Sequence, residues 1–281
     1  MPIGKKRLDV LLVERGLAAS RERAQALIMA GQVQVAGRHS AKAGSLLDSA
    51  TPVEVRPGPT FASRGGVKLS HALERFRIDA SDRIALDVGA STGGFTDVLL
   101  RGGARRVYAV DVGYGQLDYA LRQNPRVVVM DRTNVRHLQE LPELLDLAVV
   151  DVSFISLRLV LPPISRLLGP SADVVVLVKP QFEAGRESVG KGVIHSPAIW
   201  RSVLEGLATW LSEHGWDWLD LTVSPLKGAA GNVEFLAHLR RGHGVALPSS
   251  RIEETLSAVT GSDRAAAPRP SALLEVLDGR S

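Results

Sequence analysis

From Arg83 onward, apolar runs alternate with stretches of helical apolar spacing, the pattern of a parallel sheet covered by helices on both faces. The runs predict strands at Ile84–Val88, Val107–Val110, Val127–Met130, Leu147–Asp151, Val174–Lys179, Asp217–Val223 and Glu234–Leu239. A glycine-containing loop without room for a crossover helix separates the last two, so they are expected to form an antiparallel hairpin. The front of the chain reads differently. Leu8, Leu11 and Leu12, and then Ala24, Ala26, Leu27 and Ile28, recur at roughly helical spacing and predict two short helices. Ser20 suits the N-cap of the second, Gly31 its end, and Val33 and Val35 alternate as a half-buried strand before a turn at Gly37. A short strand at 53–55 leads into Arg-Pro-Gly-Pro at 56–59, a linker signal.

These patterns divide the chain into a small α+β domain over 1–58, a linker at 59–63 and an α/β domain over 64–247. Residues 248–281 are left without a role, and 264–272 are Ala/Pro-rich. A length of 281 residues accommodates one ordinary domain and a small appendage. With 45% hydrophobic and 23% charged residues the composition is that of a globular protein. The chain has no cysteine, which excludes disulfides, thiolate metal sites and a cysteine nucleophile. Lys5, Lys6 and Arg7 are not followed by a long apolar run, so neither a signal peptide nor a membrane span is expected, and the cytoplasm is the expected location. Charge is uneven. Residues 1–68 hold 11 Lys/Arg against 5 Asp/Glu, while 69–281 hold 23 against 25. A basic amino-terminal surface is what a phosphate backbone attracts.

Chemistry enters with Ala85-Leu-Asp-Val-Gly-Ala-Ser-Thr-Gly-Gly-Phe95, an acid and a glycine turn between an apolar strand and a helix. An open α/β sheet binds nucleotide-like ligands at that place. Gly89, Gly93 and Gly94 are expected to let backbone approach such a ligand closely. The spacing matches neither GxGxxG nor the phosphate loop GxxxxGK[ST], which disfavours a di- or triphosphate. Asp111, at the end of the next strand, is placed to bond ribose hydroxyls, and Asp131, after the strand that follows, to reach an adenine amino group. The region from about 83 to 240 resembles the S-adenosylmethionine-dependent methyltransferases, whose Rossmann-like sheet has seven strands with the last antiparallel. The resemblance implies S-adenosylmethionine as cofactor, with Asp87, Gly89, Ser91, Gly93 and Gly94 at the turn. It adds Phe95, Asp111, Asp131 and Asn134 beyond it.

Four charged residues sit where a buried sheet would not be expected to hold them. Lys68 precedes the helix expected to pack on the first strand of the sheet, Asp151 and Lys179 end two strands, and Glu234 begins the last. A sugar hydroxyl is a poor nucleophile, and a lysine made neutral by desolvation or by a second ammonium can take its proton. Lys179 is the expected base, Lys68 the second positive charge, and Asp151 and Glu234 the groups that hold them. Ordinary salt bridges at a sheet edge are the plain alternative. The surrounding motifs are Ser63-Arg-Gly-Gly-Val-Lys-Leu69, Asp151-Val-Ser-Phe-Ile-Ser156, Val178-Lys-Pro-Gln-Phe-Glu183 and Gly228-Ala-Ala-Gly-Asn-Val-Glu-Phe235. Together they resemble the FtsJ/RrmJ-type ribose methyltransferases, and more closely the TlyA subgroup, once called haemolysins. The resemblance implies that Lys68, Asp151, Lys179 and Glu234 form a catalytic tetrad. It further implies 2′-O-methylation of a cytidine in 16S or 23S ribosomal RNA, in one or both ribosomal subunits.

At the front, Arg7-Leu-Asp-Val-Leu-Leu-Val-Glu-Arg-Gly-Leu17, Ser20-Arg-Glu-Arg-Ala24 and Ile28-Met-Ala-Gly-Gln-Val-Gln-Val-Ala-Gly37 resemble the S-four RNA-binding module. Arg21 and Arg23, at a helix start, are expected to face phosphates, with Lys6, Arg7 and Arg64 adding to the RNA-binding set. A small packing or dimerisation domain is the alternative. Trp200, Trp210, Trp216 and Trp218 read as packing residues. The histidines, His195 among them, lack metal-ligand spacing, so no metal is expected. Arg186 and Lys191 flank a glycine-rich loop that could touch RNA. Two rival functions remain: a membrane-lytic protein, against which the missing apolar segments argue, and an RNA-binding factor without activity. The sequence leaves the oligomeric state open.

Overall fold

Three short strands that periodicity does not reveal complete the amino-terminal region in the computed structural model. The structure describes residues 5–29, 32–36, 38–39, 43–55, 61–185, 192–228 and 230–262. The chain begins β1 (Lys5–Arg7), α1 (Leu8–Glu14), α2 (Arg21–Met29), β2 (Val33–Val35), β3 (Arg38–His39), β4 (Leu46–Asp48), β5 (Val53–Val55). The expected helices and the strands at 33–35 and 53–55 are present; β1, β3 and β4 are additional. Each has three residues or fewer, and β1 is exposed throughout, so no alternation marks them. β1 pairs antiparallel with β4, and β2 lies between β3 and β5. Leu8, Leu11, Leu12, Ala24, Leu27, Ile28, Val33 and Val53 form the core between them. Ser20 caps α2 by accepting the Arg23 amide at 3.1 Å. The expected signals at Gly31 and Gly37, and residues 56–60 of the linker region, lie outside the described residues.

The chain continues through α3 (Arg64–Phe76), β6 (Ile84–Val88), α4 (Gly94–Arg101), β7 (Arg106–Val110), α5 (Tyr119–Arg122) and β8 (Val127–Met130). Then follow β9 (Leu145–Val150), α6 (Leu157–Ser165), β10 (Leu168–Val178), α7 (Pro180–Glu183), α8 (Pro197–Glu213), β11 (Trp216–Val223), β12 (Phe235–Arg241) and α9 (Ser249–Ser262). The seven strands from β6 onward form one mixed sheet in the order β11-β12-β10-β9-β6-β7-β8. β6 pairs parallel with β7 and β9, and β7 with β8, whereas β11 and β12 are antiparallel, as the short loop between them requires. Every residue of β6 is buried, the signature of a strand covered on both faces.

Strand ends shift by a residue or two, which puts Asp151, Lys179 and Glu234 one residue outside the strands they were expected to end or begin, and two larger details differ. β10 starts at Leu168, well before Val174, because Gly169 and Pro170 hide its beginning. Lys68 lies inside α3 rather than ahead of a helix: Ser63 caps α3, accepting the Gly65 amide at 3.3 Å, and the glycine pair makes the first turn look like a loop.

Packing divides the chain into two compact units, Met1–Ser153 with Leu159–Val175, and Phe154–Arg158 with Val176–Ser281. In the second, α9 gives part of the unassigned C-terminal stretch a structural role. β11 is a sheet edge, which leaves backbone groups needing cover. Arg251 of α9 donates to the Leu221 carbonyl at 3.0 Å and to Asp220 at 2.8 Å, while Ile252 and Leu256 are buried. The Trp218 amide donates to the Val245 carbonyl at 2.9 Å. Residues 263–281 lie outside the described residues. Trp200, Trp216 and Trp218 are core residues, whereas Trp210 is half-buried and stacks on His214 with ring centroids 4.2 Å apart.

Candidate active site

In the first unit the glycine turn is built around protein atoms. Gly89 has φ +86°, and a Cβ there would collide with the Asp151 carbonyl. At Gly93, φ +94°, it would strike Leu121 and Leu117; at Gly94 it would strike Ser63 Oγ and the Gly66 amide. Contacts with protein atoms thus require these glycines in the chain itself, beside any close approach of a ligand that they allow. Phe95 is buried in α4, beside Gly65. The Asp151 amide donates to the Val88 carbonyl at 2.9 Å, which fixes Asp151 one residue past β9, next to the turn.

The acids differ in what holds them. Asp87 is fully buried in β6; its Oδ2 accepts from Thr96 Oγ1 at 2.6 Å, and its Oδ1 has no partner among the described residues. Burial pushes its carboxyl up to about 7, helped by the nearby Asp151 and Asp111 charges and opposed by Thr96. Asp111 accepts the Ser91 amide at 2.8 Å and the Gly113 amide at 2.7 Å, so it ties the glycine turn to the loop after β7. Each oxygen keeps a further lone pair for an outside donor. Asp131 Oδ2 accepts from Arg122 at 2.8 Å and from the Gly115 amide at 3.2 Å, and Arg122 holds the carboxyl below its usual range. Asn134 Oδ1 caps the turn Val135–His137 by accepting the Arg136 amide at 3.1 Å. Ser91 is exposed, with φ +48°. Lys68 is half-buried in α3.

In the second unit Lys179 is buried at the start of α7, one residue past β10, and Glu234 is buried one residue before β12. Gly228 lies against Glu234: a Cβ there would collide with its carboxylate, with the carboxyl carbon only 3.0 Å away. Asn232, also buried, accepts the Ile194 amide and donates to the Gly192 carbonyl, both at 2.9 Å, and joins two loops. Glu183 accepts the Leu157 amide and Ser156 Oγ, each at 2.7 Å, and so caps α6; burial raises its carboxyl above the usual range. Phe154 is 89% exposed at φ +64°, an uncommon backbone state for an aromatic residue, with its ring 5.0 Å from that of Phe182. Glu183, Asn232 and Phe154 all stand inside the quoted motifs, but nothing in residue type or spacing announces an acid as a helix cap or an amide as a tie. Arg186 and Lys191 lie outside the described residues.

On the amino-terminal module Arg21 and Arg23 stand exposed at the start of α2, and Arg64 is exposed at the start of α3. Lys6 pairs with Glu14 at 2.7 Å. Arg7 and Arg21 reach one acid, Asp9, which the sequence does not single out.

A mixed α/β sheet closed by an antiparallel hairpin, with a glycine turn after β6 and acids following successive strands, defines a Rossmann-like methyltransferase fold. The chain belongs to the FtsJ-like methyltransferase family, whose model matches residues 61–241, and carries an S4 domain over residues 6–50. It is 49% identical over 243 residues to the rRNA methyltransferase candidate YqxC of Bacillus subtilis, covering 84% of this chain and 85% of that protein. With the 16S/23S rRNA (cytidine-2'-O)-methyltransferase TlyA of Mycobacterium tuberculosis it shares 44% identity over 259 residues, 90% of this chain and 96% of the relative. Among solved structures, a hemolysin candidate from Streptococcus thermophilus has a TM-score of 0.74 at 40% identity, covering 93% of this chain and 98% of that one.

Proposed function

We propose that this protein transfers a methyl group from S-adenosylmethionine to the 2′-hydroxyl of a cytidine in ribosomal RNA. The observation that carries the reading is the extent of the likeness to the M. tuberculosis enzyme: it runs over 90% of the chain, through both the S4 and the methyltransferase regions.

The residues at the glycine turn suit the cofactor. Asp111 keeps acceptor capacity for a ribose diol after holding two loop amides, and a cationic ligand nearby would favour ionisation of Asp87, whose Oδ1 has no partner among the described residues. Ser91, Asp131 and Asn134 complete the polar set. S-adenosylmethionine supplies an activated methyl on a sulfonium, which an oxygen nucleophile takes by in-line displacement. The chain's part is then to bind, orient and deprotonate. Lys179 accepts the proton of the 2′-hydroxyl, Lys68 supplies a second positive charge and helps orient the hydroxyl, and Asp151 and Glu234 hold the lysine side chains. Arg7, Arg21, Arg23, Lys6 and Arg64 hold the RNA backbone, giving recognition by shape more than by sequence. Ribosomes place the work in the cytoplasm.

Incubation with tritiated S-adenosylmethionine and ribosomal subunits from a strain lacking the gene tests this reading. The wild type is expected to label RNA and Lys179→Ala to leave it unlabelled; no label from the wild type would end the proposal. The hemolysin name of a solved relative favours one other reading, membrane lysis. Among the described residues no helix is long and apolar enough to cross a membrane. Liposome leakage measured beside methyl transfer separates the two, with no leakage expected.

A further inference from the structure

Asp9 is an acid at the centre of a module whose partner is expected to be polyanionic. Its side chain is fully buried, yet it is surrounded by donors. Oδ1 accepts from Arg7 Nε and from the Val10 amide, both at 3.0 Å. Oδ2 accepts from Arg7 Nη2 at 2.9 Å, Gln25 Nε2 at 2.9 Å and Arg21 Nη2 at 3.3 Å. The two arginine side chains remain 47% and 54% exposed. Arg7 thus has one side of its fork, Nε and Nη2, on the buried carboxylate, Arg21 reaches Oδ2 of the same carboxylate with one Nη2 contact, and both keep further donors on half-exposed side chains. The Arg7 guanidinium, with the other donors, holds the Asp9 carboxyl far below the usual carboxylate range.

We propose that Asp9 is a positioning residue for RNA binding: it pre-orients Arg7 and Arg21, from two different elements, as one phosphate-binding pair. The inference rests on the reading that the S4 module binds RNA through these arginines. An unrestrained surface arginine loses rotamer freedom when it engages a phosphate, and one already held loses less. Asp9 reduces the net positive charge of the face and at the same time fixes its geometry. The two effects have opposite signs in an affinity measurement.

The experiment is equilibrium binding of the full chain to deproteinised 16S and 23S rRNA at fixed salt. Asp9→Asn raises the net charge by one, so charge alone tightens binding. Positioning instead weakens it, by roughly tenfold for two side chains whose ordering cost returns. Arg21→Ala should weaken the wild type, and weaken it less in the Asp9→Asn background. In methyl transfer, KM for RNA should rise while kcat holds, a split that general unfolding would not produce. Arg7→Lys guards against a folding defect in Asp9→Asn: it keeps both charges but loses the two-point grip on Asp9, and should bind several-fold more weakly while the chain stays folded by circular dichroism. Asp9→Asn or Arg7→Lys binding RNA as tightly as the wild type, in a folded chain, overturns the positioning role and leaves the RNA reading intact. Failure of the wild type itself to bind RNA overturns both.

Discussion

Among the described residues Asp9 and Asp87 are both fully buried carboxylates, and their pKa values move in opposite directions. Asp9, in the S4 module, meets Arg7, Arg21, Gln25 and a backbone amide, and is held ionised far below the usual range. Asp87, in the methyltransferase sheet, has one hydroxyl donor and an oxygen with no partner among the described residues, and rises to about 7. Burial alone raises a carboxyl; the partners decide whether that rise survives. The module uses its acid to arrange cations, and the sheet keeps its acid short of donors beside the place where a cofactor is expected.

The sharpest way to break this contrast is pH. A raised folded pKa means that the folded chain binds more protons than the unfolded one, so the contribution of Asp87 is present below the ordinary pKa near 3.8 and is lost as pH rises towards about 7. Asp87→Asn should remove that slope and stabilise the ligand-free chain at pH 8, by on the order of 3 kcal/mol in denaturant unfolding. An unchanged slope would show that Asp87 is ionised in the folded state. For Asp9 the sign is reversed: its stabilisation is present above the ordinary carboxylate pKa and declines as pH falls below about 4. Asp9→Ala should cost the S4 module about 2 kcal/mol at pH 7, less than a wholly buried pair because both arginines are half-exposed. Hydrogen exchange of α1 amides, compared with those of β6, reads that loss where it belongs. Smaller in stability but visible in activity is Gly228→Ala, whose new methyl must displace the Glu234 carboxylate. Methyl transfer should fall by roughly 10- to 100-fold with folding retained. Arg251→Ala, which uncovers the β11 edge, should cost about 1 kcal/mol and leave activity unchanged.

The sheet was legible because its parallel strands are written as continuous apolar runs: β6, buried on both faces, and the half-exposed edge strand β8 both match the sequence reading to the residue. The hairpin followed from loop length alone. Elements with no room for a period, such as β1 and β3, stayed invisible, as did the first turn of α3 behind Gly65 and Gly66. At the site, residue type and position at strand ends marked Asp87, Asp111 and Asp131. What those acids do locally was not legible. The Ser91 and Gly113 amides on Asp111, and Arg122 on Asp131, are contacts between loops whose meeting no linear pattern encodes. Asp9 was hidden for the opposite reason: within Arg7-Leu-Asp9 it looks like one more surface charge, and its burial depends on Arg21 and Gln25 arriving from α2.

Ribose chemistry is the central claim, and mapping the product tests it most directly. Ribosomal RNA labelled by the wild-type protein should, after alkaline hydrolysis, carry its methyl group in a dinucleotide that resists cleavage 3′ of a cytidine, because a methylated 2′-oxygen cannot attack the neighbouring phosphate. Lys179→Ala should yield no such product. Label recovered on a base, with every ribose still cleavable, would contradict the account.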